Sequence, residues 1–192
     1  MGVCLDISTI GDANTGILLQ YPRLVWDIVF PQYSNLLTTR NEYSPEENMG
    51  SGLLHRNSFE PEPVTFKESL GEYWHGLHYL MCQEVWCGSL PDAFLIDGGE
   101  FVGDVDVGYG PARVFTAKEV EGIARSVLRK TRRDLTTSFD ASKMLDFDIY
   151  PQIWDNENAL ATCLERFSSL QAFLKNAVDN QLGMVLYLSR RD

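Results

Sequence analysis

The sequence predicts an α/β or α+β fold, with helices layered on a central mixed sheet in a single domain over residues 1–192. Three observations carry this. The chain opens on a period-two apolar pattern, Val3, Leu5 and Ile7, and nears its end in the continuous apolar run Met184–Leu188, so strands stand at both ends. Between them lie amphipathic segments at helical spacing, two of them introduced by a threonine followed three residues later by glutamate. With 192 residues, 44% of them apolar, the chain can bury a core of its own.

Taken in order, the opening strand is followed by a first short helix through Leu19, capped by Asp12 or Asn14. Pro22 suits the first turn of a second helix with an apolar stripe of Leu24, Val25, Ile28 and Val29, closed by Pro31. Residues 38–63 hold turn formers such as Ser44-Pro45, Gly50-Ser51-Gly52 and Pro61-Glu62-Pro63, and read as a long surface loop or insertion. His55 and Arg56 lie in it, without a surrounding motif.

A central helix is expected from Thr65 or Phe66 to Gln83, with Thr65 and Glu68 as its capping box. Its inward stripe would be Leu70, Tyr73, Trp74, Leu77 and Met81, with His78 at least half buried beside Trp74 and His75 on the flank. Ala93-Phe94-Leu95-Ile96 reads as a buried strand ending in Asp97-Gly98-Gly99. In the glycine-rich segment that follows, alternation places Asp104 and Asp106 on one face, and Gly108-Tyr109-Gly110 reads as a tight turn. Thr116 and Glu119 open a helix carrying Val120, Ile123, Ala124 and Leu128. That helix ends in the basic cluster Arg129-Lys130-Thr131-Arg132-Arg133, where cations complement the helix dipole. Ser138 or Asp140 caps a short helix through Leu145, Ile149–Trp154 forms an aromatic turn, and a long helix spans about Glu157 to Gln181 before Gly183 and the closing strand.

Charge and motifs exclude several function classes. Sixteen basic against 27 acidic residues give a net charge of -11, which repels phosphate backbones and argues against nucleic acid. It favours a basic protein partner or a cationic ligand. Apolar runs are too short for a membrane span, the start lacks a secretory pattern, and Asp6 departs from the myristoylation pattern that Gly2 and Cys4 suggest. Cys4, Cys82, Cys87 and Cys163 lack zinc-pair spacing and fit free thiols in a reducing cytoplasm.

The segments Trp74-His75-Gly76-Leu77-His78-Tyr79-Leu80, Gly108-Tyr109-Gly110-Pro111-Ala112-Arg113, Thr116 with Glu119-Val120, and Ile149-Tyr150-Pro151 with Trp154, in this order before a final helix and strand, resemble the YfbM-like family of uncharacterised bacterial proteins. The resemblance covers about Phe66 to Leu188 and the opening strand, and implies a compact layered fold with no established activity. Met81-Cys82-Gln83 departs from the Leu-Thr-Gly expected after the histidines, and residues 38–63 follow no family pattern.

No motif names a reaction. His75 and His78 are three residues apart, without the glutamate of the zinc-protease motif, and could hold a metal only with Asp104 or Asp106. Nucleophile elbow, P-loop, Rossmann fingerprint and calcium loop are missing, and no cofactor is expected. A thiol mechanism would need Cys82 or Cys87 to meet His78 in space. Trp74, His75, His78, Asp104, Asp106, Tyr109, Arg113, Tyr150 and Trp154 are the candidate ligand-binding residues, because amphipathic aromatics, imidazoles and carboxylates suit a small-molecule or peptide cleft. The expected function is a non-catalytic binding or interaction protein, inhibitor- or immunity-like in one version. The alternative is a hydrolase using His78 with Asp104 or Asp106, with or without a metal. A third possibility, nucleotide binding, requires Arg113 and the basic cluster to line one cleft.

Overall fold

In the computed structural model the described residues are 2–29 and 65–191. The loop expected at 38–63, with His55 and Arg56, lies outside them. Nine-residue strands at the two ends of the chain form the centre of the sheet: β1 (Gly2–Ile10) pairs antiparallel with β5 (Gly183–Arg191) from Gly2↔Arg191 to Ile10↔Gly183. β2 (Lys67–Gly71), β3 (Glu100–Asp106) and β4 (Pro111–Phe115) complete the order β2-β1-β5-β4-β3. Every pairing is antiparallel, so the class is α+β and strand directions are not mixed.

The pleat of β5 divides the core. Met184 and Leu186 join Leu5, Ile7 and Phe115 on one face, whereas Val185 and Tyr187 join Val114 and Val102 on the other. The second face is covered by α1 (Asp12–Gln20) and α2 (Val25–Val29), which follow a 3-10 turn at Pro22–Leu24, through Leu18, Val25 and Val29. Helices α3 (Trp74–Cys82), α4 (Ala117–Val127), α5 (Arg132–Ser138), α6 (Ala141–Asp146) and α7 (Ala159–Asp179) follow β2. Buried side chains from all five join the first face in one cluster.

Local rules worked where the chain could satisfy them locally. Thr116 accepts from the Glu119 N–H while Glu119 accepts from the Thr116 N–H, forming the expected box of α4. Its buried stripe is Val120, Ile123, Ala124 and Val127; Leu128 falls outside the helix and is 42% exposed. Asp140 caps α6 by accepting from Lys143 N–H, and α7 buries Cys163, Phe167, Leu170 and Leu174 at helical spacing. Gly183 allows β5 to start tightly, since a Cβ there would stand 2.3 Å from the Phe115 carbonyl. Asp12 is the first residue of α1, not its cap, which is Gly11 without a side-chain bond.

Two further expectations, about whole elements, also fail. The Thr65–Glu68 capping box does not form, because Lys67–Gly71 is a strand hydrogen-bonded to β1 in the register Ile7↔Glu68. Phe66 N–H donates to Thr9 Oγ1 and Thr9 N–H to the Phe66 carbonyl, both at 2.9 Å, so pairing with β1 replaces helical bonds. Gly71 then turns the chain at φ +58 and the helix starts at Trp74. The second failure is Ala93–Ile96, which forms successive turns, with Asp97 N–H donating to the Ala93 carbonyl at 2.8 Å. The carbonyls a neighbouring strand would have used point instead to the guanidinium of Arg113.

Candidate functional site

The sequence-predicted residues separate into a sealed helix, an open groove and an exposed strand. Helix α3 is buried along its entire length from Trp74 to Met81. His75, expected on the flank, is 0% exposed, as is His78. The helical wheel placed one face outward, but strand, turn and loop cover all sides of this short helix. Gly76 permits a close approach on one side, since a Cβ there would overlap the Trp154 ring.

The ring nitrogens of Trp74, His75 and Trp154 each meet a backbone partner. His75 Nε2–H donates to the Val85 carbonyl at 2.6 Å, leaving Nδ1 to accept the Tyr150 N–H at 3.1 Å, which defines a neutral tautomer. Trp74 Nε1–H donates to the Val3 carbonyl at 3.0 Å, Val3 N–H donates to the Tyr150 hydroxyl at 2.7 Å, and Trp154 Nε1–H donates to the Ile149 carbonyl at 2.6 Å. The motif thereby fastens the first strand, the loop after α3 and the aromatic turn to one another.

Burial lowers the pKa of His75, against the opposing pull of its bond to Val85. His78 is lowered to about 4, first by burial and then by His75, opposed by the Cys87 backbone and Asp97. Cys82 Sγ lies 3.4 Å from His78 Nε2, so the thiol and imidazole do meet. Burial raises the Cys82 thiol, however, so the pair is neutral on both sides at pH 7, unlike an activated thiolate–imidazolium pair. No hydrogen bond or ion pair among the described residues joins His78 to Asp104 or Asp106, and the histidines gather no metal-ligand group there.

Asp104 and Asp106 are exposed on β3. Asp106 accepts from Gly108 N–H at 2.8 Å and Gly110 N–H at 3.0 Å, which holds the β3–β4 turn. Gly108 at φ +141 and Gly110 at φ +85 make the turn possible and present Tyr109 at its tip.

Tyr109 forms one wall of a groove of about 230 Å³, and Trp74 and Arg113 line the same space. Two further walls were not anticipated: Trp86, in the loop after α3, and Phe101, on β3, each 60% exposed. Trp86 rests on His75 with ring centroids 4.1 Å apart, so the sealed helix is the foundation of the groove. A tryptophan in an aperiodic stretch was the available signal; Phe101 carried none beyond its place in an alternating strand. Arg190 stands over Tyr109 with its guanidinium 5.0 Å from the ring centroid.

Arg113 is 7% exposed and donates from Nη1 to the Gly98 carbonyl at 2.8 Å and from Nη2 to those of Phe94 and Leu95 at 3.2 and 2.7 Å. Burial lowers its pKa to about 10, partly offset by Asp97, and it remains charged at neutral pH. His78, Tyr150 and Trp154 do not line the groove. The basic cluster is elsewhere: Lys130 pairs with Asp92 at 2.9 Å, and Arg132 donates to the Leu164 carbonyl and Ser168 hydroxyl. Arg129 and Lys130 line a different pocket from Arg113, so the cations required for a nucleotide cleft are dispersed.

Among the described residues no helix is long and apolar enough to cross a membrane. No curated protein matches the chain. A solved structure described as a protein of unknown function, YfbM from Escherichia coli, superposes with a TM-score of 0.64 at 12% identity, over 96% of this chain and 99% of that one. This likeness extends to the fold. The model of the family described as "Domain of unknown function (DUF1877)" matches residues 1–187, and the chain belongs to that family.

Proposed function

We propose that this protein is a non-catalytic binding protein that takes its ligand in the groove framed by Trp86, Phe101 and Tyr109. The observation that carries the reading is the convergence of three exposed aromatic side chains on one cleft. Aromatic walls bring a large apolar contact area with few rotatable bonds, and exposed apolar surface gathered in one place is a mark of an interaction site. The inhibitor- or immunity-like version, with a basic protein as partner, draws support from Glu100, Asp104 and Asp106, all exposed on the strand that carries Phe101, and from the net charge of -11.

The hydrolase reading has less support. A general base must reach the proton it removes, whereas His78 is fully buried and makes no contact with either candidate carboxylate. The test is an NMR titration of the labelled protein with a library of small aromatic fragments and with lysine-rich peptides. Binding at the groove should move the Trp86 indole, Phe101 and Tyr109 resonances together. Chemical-shift changes confined to other surfaces, or none with any member of either set, would reject the reading.

A further inference from the structure

We propose that the groove is a receptor for a small aromatic monocarboxylate, its ring held between Trp86, Phe101 and Tyr109 and its carboxylate forming the close ion pair that Arg113 does not make among the described residues. The inference rests on the reading of the groove as a binding site, departs from its basic-partner version, and adds the charge and size of the ligand.

A guanidinium has five N–H groups, and the three hydrogen bonds of Arg113 all go to neutral carbonyls. No carboxylate among the described residues stands at ion-pair distance from it; Asp97 favours its charge only from farther away and leaves the effect of burial dominant. Buried charges are ordinarily paired, because removing an ion from water is expensive. Here the cation borders a groove whose other walls include Leu95, Ile96 and Leu188, so an entering anion would meet it away from bulk water. Arg190, held over Tyr109, supplies a second positive charge at the rim.

The carboxylates of β3 oppose this, and magnitudes decide between them. Glu100, Asp104 and Asp106 are exposed, where water and salt screen them. At equal distance a charge felt through the protein acts about four times more strongly than one felt through water. For a ligand seated in the groove the buried cation therefore dominates, and the rim carboxylates disfavour polyanions. A volume of about 230 Å³ lies below the usual range for drug-sized ligands, which limits the occupant to about one ring with a short acidic arm.

The experiment compares phenylacetate with phenylacetamide, equal in shape but neutral, by calorimetry and by fluorescence excited at the tryptophan edge. Phenylacetate should saturate the protein and bind at least about tenfold more tightly than the amide, since a charge-assisted contact exceeds a neutral one. Trp86→Ala should weaken both by about tenfold or more. Arg190→Gln should weaken the acid more than the amide. Equal affinities that are lost in Trp86→Ala would overturn the inference while leaving groove binding intact. Failure of both compounds to saturate, or binding that survives Trp86→Ala, would also overturn it. If aromatic fragments and basic peptides then leave the Trp86, Phe101 and Tyr109 resonances unmoved, the binding reading falls as well.

Discussion

Helix α3 and the groove beside it are built from the same kinds of residue and do opposite things. Trp74 and His75 lie in the helix with their polar atoms bonded to backbone; Trp86, one ring away from His75, is 60% exposed with its neighbours arranged around open space. The contrast teaches that clustered histidine and tryptophan in a sequence mark a place where elements converge, without saying which side of the convergence stays open. The densest motif is structural support, and the proposed recognition surface is set one layer out.

The sealed side should respond most strongly to loss of bulk. Trp154→Ala removes a ring that is 1% exposed and that fits against Gly76, and should destabilise the protein by about 4 kcal/mol in urea unfolding, as large aromatic deletions from cores do. A loss below about 1 kcal/mol would show that the ring is not an essential part of the support.

Acid should act next most strongly, again through the sealed side. The folded pKa of His78 is about 4 against an unfolded value near 6.5, so between these values the unfolded chain binds more protons and stability falls as pH falls. The His78 contribution is fully present above about pH 6.5 and amounts to roughly 3 kcal/mol, lost progressively toward pH 4; His75 adds in the same direction. Urea midpoints across this range measure it. His78→Gln should flatten the slope, and an unchanged slope would place the acid sensitivity elsewhere.

The smallest effect on stability belongs to the open side. Trp86→Ala exposes part of His75 and should cost less than about 1 kcal/mol while abolishing chemical-shift changes at the groove. A loss comparable to that of Trp154→Ala would erase the distinction between support and recognition surface. The order of the three effects is thus itself a test of the two-sided arrangement.

Much of the fold was legible where interactions span one helical turn or one period of a strand. The Thr116 box, the Asp140 cap and the stripe of α7 depend on neighbours within four residues, and all are found; β1 forms as expected, but Cys4, Asp6 and Ser8 are buried along with Leu5 and Ile7, so its burial does not alternate. Thr65 and Glu68 have the same local spacing as Thr116 and Glu119, yet become extended, because Thr9 on β1 offers Phe66 both a donor and an acceptor. Of the candidate site, Trp74, Tyr109 and Arg113 meet in one groove, whereas Asp104 and Asp106 remain on the exposed strand and His78 behind the wall.

By itself, then, the sequence determined the layered class, the terminal strands and the helices opened by Thr116 and Asp140, because periodicity and capping are properties of contiguous residues. The tertiary structure decided that Lys67–Gly71 extends, that both histidines are sealed, and that Trp86 and Phe101 face one another's space with Tyr109. These outcomes depend on partners far away along the chain, as with Phe66 and Thr9, or Tyr150 and His75, and burial follows from what covers a residue from every direction.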